Sequence, residues 1–282
     1  MTIQKVDALR KKDGCWGPRR NGERFIVLTV IAYVAFLVIA PISALVGGAL
    51  QKGIPSFTGA LSTPELWQSF LLSFEIALGV IAIQGILGTI TAWVIVRHNF
   101  RGKSLYNGII DIPFAISPVV VGYMLLLIFG RNGILNPVLQ VFDFQVAFAV
   151  PGIFLATLFV SLPFMIREMI PVIQNLDRSQ ELAASTLGAS RWTTFWRVIF
   201  PGLRTALFYG IALTMARAMG EFGAVLVIGG GVQGRTATTT LYIFHALEER
   251  QYVEAYTAAI LLGLGSVLIV SLADWIRRRS QH

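Results

Sequence analysis

The chain has 282 residues, of which 55% are hydrophobic and only 13% charged, and its mean hydropathy is +0.69. Soluble globular domains carry about 25% charged residues, so this composition excludes an ordinary soluble domain and points to a membrane protein. The net charge of +8 then reads as basic cytoplasmic loops. A nucleic-acid surface is excluded because the aromatic residues lie in apolar runs and are not interleaved with Lys and Arg.

Residues 1–24 form a basic segment expected in the cytoplasm. The first apolar run, "FIVLTVIAYVAFLVIAPISAL", covers 25–45. A secretory signal has an apolar region of about 7–15 residues; this run is longer and predicts an uncleaved span. Further runs over 67–96, 105–129, 146–166, 203–228 and 252–275 each reach the roughly 20 residues that a membrane helix needs. The expectation is an all-α membrane protein with six transmembrane helices. Its membrane domain covers 25–276 and a basic tail covers 277–282.

Eighteen of the 23 Lys and Arg residues fall in the N-terminal segment, the loop after the second run, the segment 167–204 and the tail. The three other loops hold only Lys52, Arg131, Arg235 and Arg250, and Arg217 lies inside the fifth run. That alternation places both termini in the cytoplasm.

Two glycine motifs resemble nucleotide sites and fail on context. Gly102-Lys103-Ser104 ends like a P-loop, but the first glycine of that motif would fall on Arg97. Gly229, Gly231 and Gly234 match G-x-G-x-x-G, yet they leave a membrane span on the outer side, not a strand of a βαβ unit. The chain is therefore expected to hold no ATP site and no cofactor of its own. One cysteine, Cys15, permits no intrachain disulfide, and His98, His245 and His282 lack metal-site spacing.

The stretch "ELAASTLGASRWTTFWRVIFPG", residues 181–202, is too polar to cross a bilayer and too helical to be a turn. Five arginines assign the segment 167–204 to the cytoplasm. Ser179-Gln180-Glu181 makes a helix start, with acid where the dipole favours it. Ala183, Ala184, Leu187 and Gly188 recur at helical spacing on a small, flat face. Trp192, Phe195, Trp196 and Ile199 follow as an apolar stripe. Pro201 stands where the next helix would begin. The stretch could lie on the inner leaflet, pack on the chain's own spans, or dock in a groove of a cytoplasmic partner. The small-residue face favours docking, since a lipid-facing helix gains nothing from Ala-Ala and Gly.

The same stretch resembles the cytoplasmic "EAA" loop of ABC-importer permeases. Ala183, Ala184, Gly188, Val198 and Pro201 match that pattern, while Leu182 stands at the family's Glu position, Glu181 falls one place early, and Phe200 replaces a usual Leu. "DIPFAISPVVVGYMLLLIFGRNG", residues 111–133, and "ARAMGEFGAVLVIGG", residues 216–230, resemble W-type permease subunits of the sulfate/thiosulfate group. The resemblance covers about residues 25–275 and implies a type I importer permease fold in a bacterial inner membrane. It implies a second, T-type permease, two copies of a cytoplasmic ATPase carrying ATP and Mg, and an extracytoplasmic sulfate-binding protein. Under it, the loop over about 167–202 is a coupling element, with Glu181, Ala183, Ala184, Leu187, Gly188 and Pro201 as ATPase-coupling residues.

Span five carries Arg217 and Glu221 and span two carries Glu75; charges inside spans are costly and mark partners or paths. Arg217 lies near mid-membrane, with Glu221 about 7 Å and Glu75 of the second run about 9–10 Å from the membrane centre toward the outside. Arg217 and Glu221 are i, i+4 and can pair. All three come within reach if the second and fifth spans pack together. They form either a structural ion pair or the lining of a translocation path or gate. Pro113, Pro118 and Pro163 predict kinks, and Asp111 is expected near the inner mouth of the third span. The rival substrates are molybdate and tungstate, and a rival mechanism is an ATP-independent secondary anion transporter.

Overall fold

A computed structural model describes the backbone of residues 20–279 and the side chains from residue 25 onward. Most of the basic segment expected over 1–24, and residues 280–282 of the tail, lie outside the described residues. Those described are helical, with no strand among them. The first helix, α1 (Arg20–Leu50), carries Val, Ile, Leu and Phe all round its circumference, the pattern of a membrane span.

From Gly48 onward the chain forms a second compact unit. It contains α2 (Ile54–Leu61), α3 (Pro64–Arg97), α4 (Lys103–Ala115), α5 (Pro118–Phe129), α6 (Asn136–Val141), α7 (Val150–Asn175), α8 (Arg178–Thr186) and α9 (Arg191–Thr194). A π-helical turn (Phe195–Ile199), α10 (Phe200–Met219), α11 (Gly223–Gly229), α12 (Thr239–Glu248) and α13 (Tyr252–Arg279) complete it. Among the described residues, α1, α3, α7, the run Arg191–Met219 and α13 are long and apolar enough to cross a membrane. A sixth crossing would be the pair α4–α5, which bends by 107°.

That bend is far sharper than the kink expected in the third span. Pro118 disfavours helical backbone in the residue before it; Ser117 is extended at ψ 135° and so is Ile116 at ψ 135°. Pro113 stays inside α4. The predicted fifth span also differs. Its helix begins at Arg191, a dozen residues earlier than expected, and stops at Met219; α11 follows as a separate piece. Pro201 does not start a new helix from a loop. It sits in the first turn of α10, directly after the π turn, in which the Phe200 N–H bonds to the Phe195 carbonyl. The widened turn lets the helix pass through a residue that has no N–H to give. The fourth helix runs to Asn175, so Arg167 belongs to it and not to a loop.

Two of the apolar clusters that hold the unit flank the middle of α3. Toward the arginine-rich end, Ala92 and Ile95 of α3 meet Met165, Ile166 and Met169 of α7 and Leu203 and Ala206 of α10. Toward the other end, Ile76, Ala77 and Val80 meet Ile153, Met215, Met219 and Leu241. Between them Gln84, buried on α3, donates to the Leu158 carbonyl at 2.7 Å and to Ser161 Oγ at 3.0 Å, fixing α3 to α7 by side-chain hydrogen bonds in the apolar interior.

Lipid offers no hydrophobic drive between helices, so close backbone approach carries the packing. Gly122 of α5 is the clearest case. A Cβ there would stand 2.8 Å from the Ala224 carbonyl oxygen and 2.7 Å from Val227 Cβ. Because the obstacle includes backbone, Gly122→Leu should separate α5 from α11. The expected result is a detergent-solubilised protein that melts at least several degrees lower, read by a thermal-shift scan; an unchanged midpoint would show that the contact is dispensable.

Candidate coupling loop and ion-pair site

The segment after α7 folds as a short helix, a turn and the start of a long helix. Asp177 caps α8 by accepting from the Ser179 N–H at 2.9 Å, two positions before the predicted start. The Ser179 hydroxyl, donating to the other carboxylate oxygen at 2.6 Å, and this N–H hold the Asp177 carboxyl below its ordinary value. Ser190 caps α9 through the Thr193 N–H. Between them Gly188 adopts φ +80°, a left-handed conformation that disfavours any side chain. A Cβ at Gly188 would meet nothing within 4 Å, so the site is open outward.

The predicted small-residue face divides. Leu182, Ala183 and Gly188 are exposed and Leu187 is 88% exposed, whereas Glu181 and Ala184 turn half inward. The Glu181 carboxylate pairs with Arg97, the last residue of α3. Trp192 and Trp196 are exposed, while Phe195 packs on the inner cluster and Ile199 is buried in it. Pro201 is exposed.

Two further ion pairs that join different helices lie at the same end. Arg167 of α7 grips Asp111 of α4 with two hydrogen bonds, Nε to Oδ1 at 2.8 Å and a second to Oδ2, and also donates to the Asn107 carbonyl. Arg277 of α13 reaches Glu168 of α7 at 3.3 Å. Asp111 thus anchors the bent third element to the fourth.

At the break between α10 and α11, Arg217 Nη1 lies 2.7 Å from Glu221 Oε2, as the i, i+4 spacing predicts. The Glu221 side chain is only 2% exposed, and its other oxygen accepts from the Ala224 N–H at 3.2 Å, capping α11. Thr240 donates to the Glu221 carbonyl at 2.6 Å. Glu221 therefore neutralises an arginine and a helix start together. Arg217 is 28% exposed and lies 6.0 Å from the Phe164 ring centre, and Phe164 meets Phe114 edge to face at 5.2 Å. The break also adjoins the α4–α5 bend, since a Cβ on Gly223 would lie 3.3 Å from the Val119 nitrogen.

Glu75 does not join the pair, although α3 does pack on α10. The buried stripe of α3 runs through Ser69, Ser73, Ile76, Ala77 and Val80, and Glu75 shares its row with exposed Leu71 and Leu78. It makes no ion pair among the described residues. Arg97 and its bond to Glu181 had no signal in the sequence, because 84 positions separate them. The only hint was an arginine closing an apolar run, with Trp93 one helical turn earlier.

An arginine-rich end carrying a capped, outward-turned helix, below a helical bundle with an internal ion pair, is the construction of a multi-pass membrane protein. Residues 84–282 match the family of binding-protein-dependent transport system inner membrane components, and the chain belongs to that family. It is 38% identical over 257 residues to the sulfate transport system permease protein CysW of Synechocystis sp., covering 91% of this chain and 93% of that protein. It is 35% identical over 256 residues to the CysT permease protein of the same organism, covering 89% of each. In fold it matches a chain of a bacterial alginate ABC transporter, crystallised with an alginate-bound periplasmic protein. The TM-score is 0.75 at 16% identity, over 92% of this chain and 96% of that one. That likeness concerns the fold alone.

Proposed function

We propose that the chain is a membrane subunit of an ATP-driven importer for sulfate and thiosulfate in a bacterial inner membrane. The observation that carries this reading is the similarity to CysW along nearly the whole of both chains. In it the bent pair α4–α5 counts as one span, giving six, with both termini cytoplasmic as the Lys and Arg distribution favours. The partner permease is a T-type subunit. Similarity to both CysW and CysT of one organism supports a pair of related but different chains. ATP and Mg belong to two copies of a cytoplasmic ATPase, and an extracytoplasmic binding protein delivers the anion.

Within that assembly the exposed side of α8 and its turn, with Ala183, Leu187 and Gly188, seats in the ATPase. Glu181 and Ala184 back it from the inside, and Pro201 lies at the root of the spanning helix. Arg217 lines the path. Glu221 holds it in the resting state, and the passing dianion competes with that carboxylate for the guanidinium. An unpaired arginine would trap the anion, whereas one with a carboxylate in reserve lets it leave.

The substrate is tested by competition. With the complete transporter in vesicles, excess unlabelled sulfate or thiosulfate should suppress uptake of radiolabelled sulfate by more than about tenfold, and molybdate or tungstate should leave most of it. Stronger suppression by molybdate would reassign the substrate. Uptake by the purified chain without any ATPase would make it a secondary transporter.

A further inference from the structure

We infer that the Arg97–Glu181 ion pair is the strut that carries movement of the cytoplasmic loop into spanning helix α3. The inference rests on the reading of α8 as the ATPase-facing element. A short helix that receives force must also hand it on, and α8 buries no residue of its own. It packs on the α9 and π segments that follow it in the chain. Its polar link to α3 is the carboxylate of Glu181 on the guanidinium of Arg97.

The far end of that link is firmly seated. Arg97 closes α3, its side chain is 9% exposed, and its guanidinium stacks 4.9 Å over the ring of Trp93. Trp93 packs against the cluster that joins α3, α7 and α10. Solvent-exposed pairs are screened and worth little; a pair with one partner this buried is neither. The Nε of Arg97 is also buried and makes no hydrogen bond. Without Glu181 the guanidinium would stay enclosed with no anion, which is strongly unfavourable. The loop is thus held to α3 by an interaction that α3 cannot relinquish cheaply.

The geometry of α8 fits two-sided work. Leu182, Ala183 and Leu187 face out, and Glu181 and Ala184 face in. The shift of the acid by one place, from the position where Leu182 stands to 181, puts its side chain on the inner side. Arg97 and Glu181 are positioning residues, acting on transport through the helices they join.

The test uses the complete transporter in vesicles with ATPase and binding protein. Arg97→Glu and Glu181→Arg are compared with the double exchange, reading sulfate moved per ATP hydrolysed and ATPase retained on the permease. Each single exchange should lower the ratio roughly tenfold or more with the ATPase still bound, and the double exchange should return it to within about threefold. A ratio that stays native in both singles, or a double no better than the worse single, overturns the strut. If the charge reversals do not assemble, Glu181→Gln decides: a native ratio overturns the inference, and uncoupled hydrolysis supports it. Failure of the unmodified permease to retain the ATPase would instead overturn the docking reading.

Discussion

Replacing Arg217 by alanine should abolish sulfate uptake while the ATPase still assembles with the permease. The pair that Arg217 forms with Glu221 is enclosed on the carboxylate side, so removing the arginine alone leaves a carboxylate in an apolar surrounding, at a cost of about 3–5 kcal/mol. A drop in activity could therefore come from packing as easily as from the path. The double variant Arg217→Leu/Glu221→Leu separates the two. Replacing a buried ion pair by apolar residues of similar size is often neutral or stabilising, so the double variant should recover most of the stability that the single one loses, short of the bond Glu221 accepts from the Ala224 N–H. If the pair only holds helices together, uptake returns with the stability. If Arg217 meets the anion, the double variant is stable and still fails to transport. Sulfate uptake at the normal rate by Arg217→Ala would remove the residue from the path altogether.

Gly188→Trp should uncouple the ATPase while the spanning helices stay intact. Its left-handed backbone makes any β-carbon unfavourable, by about 1–2 kcal/mol for most side chains, and the space around it is open. Two contributions can be told apart. Gly188→Asn tests the backbone, because Asn tolerates the left-handed region, and it should keep most of the coupling. Gly188→Trp adds an indole on the outward surface, where nothing in this chain meets it. Uptake should fall roughly tenfold or more while basal ATP hydrolysis by the free ATPase is unchanged. Normal uptake and normal ATP use by Gly188→Trp would sink the docking of this turn.

The sequence carried the helical class and most span positions, because a continuous apolar run has one reading at membrane length. It carried the Arg217–Glu221 pair, since i, i+4 spacing is local. The capped helix at Arg178–Thr186 was also legible, from an acidic start and a glycine beyond its end. It did not carry the breaks. Ser117-Pro118 read as a kink and proved a sharp turn, because the size of a bend depends on whether a neighbour packs into the gap, here α11 against Gly122. The continuity of Arg191–Met219 was hidden for a related reason: Pro201 suggests a start, and only the π turn lets a helix run through it. Glu75 was assigned by depth alone, and depth along a helix does not say which side a residue takes. Arg97 was missed because its partner is far along the chain.

One dimension of α3 has a mechanical meaning. Its 34 residues make a rod of about 51 Å, with no proline after its first turn to soften it. Gln84 fastens that rod to α7 at a point about 20 Å from Arg97 and about 30 Å from Pro64. Measured from Gln84, that rod has unequal arms. A tilt that shifts the Arg97 end by about 2 Å swings the opposite end by about 3 Å in the reverse direction.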